Sequence, residues 1–584
     1  MGKPSVAKMK DLVEKGRGHN HGIRFNNYSC EAELPVGCSA TDSLCEKYVS
    51  NRSSILRSIV LFIIILKQLY LLLMDYIQGA NRHQTVLFPP TLDEYVSADN
   101  PVRCIDLYVD RLDLAKLGFT HARLGSTGRP PYRPQDLLKL YIYGYLHKIR
   151  SSRALERETH RNIELMWLVG KLQPDFKTIA DFRKNNTDPL KGVCGEFSMV
   201  CKRLGLFGGE LVAIDGSKFE AVNHSGRSYT RKGLEQSLAA TEKELQGWLE
   251  QLDQADRQDD SGPSAGDIVE NITQLEAARA ELNHLRERMV ESGQPGASLT
   301  DPDSRTMQTA HGGRDVCYNV QIAVDSKHKL IVAHQVSSEH TDLHQLAPMA
   351  RQAKSVLEVQ TLEVVADKGY YNERQIITCQ DEQITCYIPA PQHNGGQTSD
   401  IFSRKDFTYD SSVDGYRCPA GELLTYKSTV EKNAKRTRIY ETSACRECPL
   451  RRRCTTAKRG NRRMYRWVHA GRIEAMQEQL QDNPEKITLR SQLAEHPFGT
   501  LKRAMGHGYF LTRGIERVSG EMSLSVLVYN MKRVLTIMGT KKLMEAVQAM
   551  QKPAQHFLNH FWQLWRQNNP LEKWSQPFTA IHSF

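Results

Sequence analysis

Three acidic residues, far apart along the chain, carry the chemistry that the sequence offers. Asp215 closes the apolar run Leu211-Val212-Ala213-Ile214 and precedes Gly216, and Asp367 closes Leu362-Glu363-Val364-Val365-Ala366 and precedes Lys368-Gly369. Short apolar runs of this kind read as buried strands, and open α/β sheets place their chemistry at the carboxyl ends of such strands. Glu495 lies in a later helical stretch, Leu489 to Met505. If that helix packs across two neighbouring strands, the three carboxylates converge. Like charges at close range raise one another's pKa, so the cluster calls for cations. All-oxygen ligands select Mg2+, or Mn2+ in its place, and a pair of such ions serves an in-line phosphoryl displacement. Each acid alone says little, because the chain holds 67 Asp and Glu residues. Lys502 follows Glu495 by two helical turns, which returns its ammonium to the same face, where it can hold a DNA phosphate.

A second set of reactive side chains is Cys418, Cys445, Cys448 and Cys454. Cys-x2-Cys is a chelating spacing and four thiolates make a structural zinc site, although the gap from Cys448 to Cys454 is wide for one. From Arg446 to Arg466 the chain carries nine Arg or Lys against one Glu, with Tyr465 and Trp467 alongside, a composition suited to phosphate contact and base stacking. Cys317, Cys379 and Cys386 sit instead in apolar stretches, as buried thiols do. His334, His340 and His344 run from strand into loop and helix and read as structural.

Elements able to position these residues emerge from the hydrophobic pattern. At 584 residues the chain exceeds one compact core, and its net charge of +11 favours a polyanionic partner. Residues 74–208 read as a helical DNA-binding domain: Leu137, Leu140, Tyr141, Gly144 and Tyr145 recur at helical steps, Arg153 to Leu168 gives a second helix, Thr178 stands as an N-cap, and Arg and Lys line the exposed faces. Residues 209–535 then give strands at 211–214, 318–324, 330–336, 362–366 and 384–388, with a helix from His344 to Val356. That order is the order of a ribonuclease-H-like α/β core, with a mixed sheet and two insertions. The first, at about 224–304, is a helical hairpin marked by Leu234, Leu238, Leu245 and Leu249 and by the heptad spacing of Ile268, Leu275, Leu282 and Met289. The second, at about 400–470, is the basic lobe that holds the four cysteines.

The matching text around the acids is A-I-D-G-S-K-F-E-A-V-N at Asp215, V-A-D-K-G-Y-Y at Asp367 and A-E-H-P-F-G-T-L-K at Glu495. In these motifs the chain resembles the bacterial insertion-sequence transposases that carry a DDE triad on a ribonuclease-H-like fold. The Asp–Gly–Tyr signature of that family fits Asp367, Gly369 and Tyr370, and its Glu with a Lys seven residues on fits Glu495 and Lys502. A companion Tyr and Arg seven and four residues before the Glu are Thr488 and Ser491 here, with Arg490 one step out of register. The resemblance implies a DNA transposase: Asp215, Asp367 and Glu495 hold Mg2+ or Mn2+, and Lys502, Arg490 and Tyr370 contact DNA. It further implies double-stranded DNA partners (terminal inverted repeats and target), a homodimer on DNA, and a cytoplasmic, nucleoid-associated enzyme with no membrane partner. The alternatives are an inactive, transposase-derived DNA-binding protein and a nuclease of the same fold.

The two ends read differently. Ser58 to Leu66 is strongly apolar, but Arg57, Lys67 and Gln68 interrupt the stretch and it is too short to span a bilayer. Residues 1–73 are therefore expected to be a non-native or upstream extension, and 536–584 a helical tail.

Overall fold

In the computed structural model the described residues are 58, 59, 61–66, 90–123, 130–223, 227–255, 265–291, 293, 296–309, 312–391, 401–432, 435–455 and 460–549. Met1–Pro89 and Pro90–Phe584 form separate units. In the first, residues 58, 59 and 61–66 are helical and exposed, and the run after Leu66 lies outside the described residues, as does the tail beyond Ala549. Among the described residues no helix is long and apolar enough to cross a membrane.

Among the described residues, a 3-10 turn at Leu92–Tyr95 opens the second unit and is followed by the α-helices α1 (Pro101–Asp110), α2 (Pro134–Leu146), α3 (Ser152–Arg161), α4 (Ile163–Leu168), α5 (Phe176–Asn185) and α6 (Thr187–Arg203). The single helix expected from Arg153 to Leu168 is broken at Asn162, whose side chain accepts from the amides of Glu164 and Leu165 and so starts a new helix. The cap of α5 is Asp175 rather than Thr178: its carboxylate takes the Lys177 and Thr178 amides and the Thr178 hydroxyl.

The sheet comes next. It comprises β1 (Leu211–Glu220), β2 (Arg314–Asp325), β3 (Ile331–Ser337), β4 (Leu362–Ala366) and β5 (Ile384–Tyr387), with the short strand Arg305–Gln308 beside β2. Its order is β3-β2-β1-β4-β5. β1 pairs antiparallel with β2 and parallel with β4, and β4 pairs parallel with β5. Three antiparallel strands followed by two parallel ones is the ribonuclease-H-like arrangement. Helix α7 (Leu346–Leu357) bridges β3 to β4 and α8 (Glu373–Asp381) bridges β4 to β5, the crossovers that parallel strands require.

Between β1 and β2 stand two long helices, Arg231–Ala255 and Ala265–Glu291, joined along Leu234, Leu238, Leu282, Leu285 and Met289. After β5 comes a five-stranded antiparallel sheet whose outer strands are Thr408–Asp410 and Met464–Trp467. The chain then returns through α9 (Ala470–Asp482), α10 (Glu485–Gly499), α11 (Ile515–Met538) and α12 (Thr540–Ala549).

Helix α11 is buried on nearly every side through its middle, the pattern of a helix surrounded by protein, and it shares one core with the N-terminal helices and the sheet. It carries one buried carboxylate. Glu521 is fully buried and accepts from Arg150 Nη2 at 2.9 Å, from the amides of Leu511 and Thr512 and from the Thr512 hydroxyl. Arg150 also donates to the carbonyls of Gly506 and Tyr509, and Arg183 stands 3.8 Å from Glu521. Burial alone raises the Glu521 pKa, but Arg183, Arg150 and the hydrogen bonds outweigh it, so the group titrates below its ordinary range. A depressed carboxylate stabilises the fold at neutral pH and loses that contribution as pH falls through its folded value. Glu521→Ala is expected to lower stability by about 3–5 kcal/mol, because it leaves Arg150 buried without its partner. Denaturant unfolding at pH 7 measures this, and the gap between wild type and variant should narrow in acid.

Candidate active site

The period of two along β1 decides where its acid points. Leu211 and Ala213 pack with Val365, Leu493 and Ala494 on the face that α10 crosses, while Val212 and Ile214 enter the main core. Asp215 continues the first set, and Asp367 continues the set of Glu363 and Val365 on β4. The parallel register runs Leu211 to Glu363, Val212 to Val364, Ala213 to Val365 and Ile214 to Ala366. One further step sets Asp215 opposite Asp367, on strands about 4.8 Å apart and on the same face. Asp215 is not at a strand end, as the sequence suggested; β1 runs on to Glu220, and it is β4 that stops, leaving β1 open on that side from Asp215 onward.

Burial raises Asp215 to about 6; Arg490 and the Gly216 amide pull it down, whereas Asp367 and Asp342 push it up. The Asp367 carboxylate takes the Gly369 amide at 2.7 Å. Helix α10 is seated by Leu489, Leu493 and Ala494 and by Lys486 on Glu363. This places Arg490, one turn before Ala494, with its Nη1 at 3.5 Å from Asp215 Oδ2. Arg490 is thus in the site despite its offset in the motif.

Glu495 sits on the same helix but its carboxylate is exposed and accepts from the Ser491 hydroxyl at 2.7 Å. The structure therefore brings Asp215 and Asp367 together and leaves the Glu495 side chain turned to its own helix. Among the described residues, no three His, Cys, Asp or Glu side chains as placed form a group able to hold an ion. The donors on β1 and after β4 nevertheless fit a hard divalent cation: they are all carboxylate oxygens, one of them held largely out of water among like charges.

Two expectations are corrected. Pro497 lies inside α10, and the chain continues as a π-helical turn over Thr500–Ala504, so the simple two-turn spacing does not hold. Lys502 instead lies over the Phe219 ring and donates to Ser217 Oγ and to the Lys218 carbonyl, and burial lowers its pKa. It braces β1 two residues beyond Asp215. Tyr370 is fully buried and its hydroxyl donates to Gln321, so it offers DNA no surface.

Sequence reasoning missed Asp342, on the loop between β3 and α7. Its Oδ1 accepts from Asn319 Nδ2 and Gln321 Nε2, each at 2.7 Å, with Lys218 Nζ at 3.8 Å. A methyl group on Gly216 would collide with Gln321 Nε2 and come within 2.8 Å of Asp342 Oδ1, which explains the glycine after Asp215. No local pattern marks Asp342; only the alternation of Asn319 and Gln321 with apolar residues in β2 hinted at a polar partner.

The four cysteines of the basic lobe line one cavity with Phe407, Leu424 and Arg462. Burial raises the Cys454 thiol, Arg462 lowers it, and the other three cysteines add to the rise. The lobe's cations divide. Arg466 is buried, paired with Glu474 at 2.5 Å and stacked over Tyr409, whereas Arg452 and Arg453 are exposed. Lys458 and Arg459 lie outside the described residues. His334 is bonded to the Ser523 hydroxyl at 2.8 Å, a structural role.

Residues 90–185 match the family model described as "Transposase domain (DUF772)", and residues 417–535 match "Transposase DDE domain". The first spans α1 to α5; the second contains the four cysteines, Arg490, Glu495 and Lys502, while Asp215, Asp342 and Asp367 lie between the two. Together these matches support an insertion-sequence DDE transposase and a function in DNA transposition. No curated protein matches the chain. A solved structure, the piggyBac transposase synaptic complex with hairpin DNA, aligns at 9% identity over 82% of this chain and 88% of that one, with a TM-score of 0.28. A score that low carries no argument about the fold, which rests on the strand order above.

Because burial and its acidic neighbours hold Asp215 above its unfolded value, its ionisation opposes folding as pH rises through that interval. Asp215→Asn is expected to stabilise the metal-free protein by about 2–3 kcal/mol at pH 8 and hardly at all at pH 4. Thermal or denaturant unfolding in EDTA at the two pH values is the check, and equal effects would contradict the raised pKa.

Proposed function

We propose that this chain, an insertion-sequence DDE transposase on the support of its two matched segments, cuts DNA at the element's ends and joins the freed 3′-hydroxyls to target DNA. The observation that carries the proposal is the register of β1 and β4, which sets Asp215 opposite Asp367 on the face crossed by the Glu495 helix. Asp215 and Asp367 are the standing ligands for Mg2+ or Mn2+. Glu495 completes the set by leaving Ser491 and turning toward the two aspartates. When bound, the ions activate the attacking oxygen and stabilise the leaving one.

The remaining roles belong to side chains around the acids. Arg490 offers Asp215 a counter-charge and, being only partly buried, is placed to take a phosphate oxygen of the DNA. Lys502 holds β1 against the turn after α10 and so positions Asp215 rather than meeting DNA directly. DNA is gripped by the basic faces of the N-terminal helices and by exposed arginines of the cysteine lobe, with two copies of the chain serving the two element ends. The four thiols of that lobe are the ligands on offer for a structural zinc ion, which would draw them together: they are of one soft donor type and line one cavity.

Strand transfer with Mg2+ on DNA bearing the element's ends tests the catalytic reading. Asp367→Asn is expected to lower joining by about 100-fold or more while leaving end binding intact, since the ions contribute several kcal/mol to the transition state. A variant that joins DNA at the wild-type rate refutes the role of Asp367; nicking without joining by the wild type identifies a nuclease. For the lobe, purified protein should carry about one zinc per chain by elemental analysis, and the pair Cys445→Ser with Cys448→Ser should lose it. Equal metal content in both would remove zinc from this reading.

A further inference from the structure

The acid that sequence reasoning missed is built differently from a structural one. Asp325 shows the structural pattern: both of its oxygens are taken by amides, from Gly208, Gly209 and Lys327. Asp342 is held on one side only. Its Oδ1 receives two side-chain amides at 2.7 Å, while no donor among the described residues reaches its Oδ2. A methyl group on Gly369 would lie 3.9 Å from that oxygen and 2.9 Å from Asp367 Oδ1, so the two carboxylates flank the same glycine.

The donors that fix Oδ1 are themselves fixed. Asn319 and Gln321 are fully buried on β2, and the buried hydroxyl of Tyr370 donates to the Gln321 carbonyl oxygen, which turns the Gln321 amide toward Asp342. Asn319 Oδ1 is buried with no donor among the described residues. An acceptor orphaned in this way leaves room for a water or an ion that completes its bonding. The cation beside Asp342 is Lys218, and at 3.8 Å it is too far for a strong pair.

From this arrangement we infer that Asp342 is a further ligand of the divalent-cation site, presenting Oδ2 beside Asp367, with Asn319, Gln321 and Tyr370 as its positioning residues. The inference rests on the reading of Asp215 and Asp367 as metal-holding. It gives the buried tyrosine of the Asp–Gly–Tyr motif a function that direct DNA contact does not.

Mn2+ binding to the full chain without DNA, measured by loss of the free-ion electron paramagnetic resonance signal, separates the two claims. Asp342→Asn retains an oxygen for the Asn319 and Gln321 amides, so it should fold, and is expected to weaken Mn2+ binding by about tenfold or more. Asp342→Glu should recover part of that loss. Wild-type affinity in Asp342→Asn, together with lost affinity in Asp367→Asn, overturns the role of Asp342 and leaves the site standing. Wild-type affinity in both overturns the site itself. A second readout needs no substitution: Fe2+ with ascorbate and peroxide should cut the wild-type backbone near residue 342 as well as near 215 and 367. Cuts near 215 and 367 alone would also overturn the inference.

Discussion

The site depends on one constraint: two parallel strands, buried on both faces, force two carboxylates to the same place. The register of β1 against β4 is held by apolar contacts above and below the sheet, and a slip of one residue would turn every side chain to the other face. Hydrophobic packing thus imposes a like-charge contact that the two acids would avoid in water. Burial is the main cause of the raised Asp215 pKa, and the charges of Asp367 and Asp342 add to it.

Around the paired acids, the chain answers the repulsion with hydrogen bonds and one guanidinium. Arg490 leans on Asp215, the Gly369 amide on Asp367, and the Asn319 and Gln321 amides on Asp342. None of these is a close, full ion pair, so the carboxylates keep unsatisfied affinity for a cation. The Glu521 cluster is the opposite design: a single carboxylate enclosed by Arg150, Arg183 and backbone amides, with both oxygens bonded. Its work is mechanical. It ties the turn after Lys502 to the N-terminal helices, so that the segment carrying Glu495 and Lys502 is fixed at both ends.

Reading along the chain found the sheet, because each strand is a short apolar run with its own turn chemistry, and it set Asp215 and Asp367 each directly after such a run. It also found the two long helices, whose spacings are local and periodic. It failed at helix caps and irregular turns, and where a partner came from elsewhere. Asn162 and Asp175 displaced the expected helix boundaries by local capping that periodicity does not encode. Lys502 left its expected face because Pro497 and the π turn rotate the residues beyond them. Tyr370 went inward because Gln321, 49 positions earlier, offered its hydroxyl a buried partner.

The sequence by itself determined the five strands of the main sheet, their order along the chain and the acids that follow their apolar runs, since alternation and apolar runs are properties of neighbouring residues. Only the tertiary structure decided that Asp215 lies opposite Asp367, that Arg490 reaches the first of them, that Glu495 rests on Ser491, and that Asp342 belongs beside them. Most of those facts come from strand pairing and helix packing between residues far apart along the chain. No window of sequence contains the geometry that joins them.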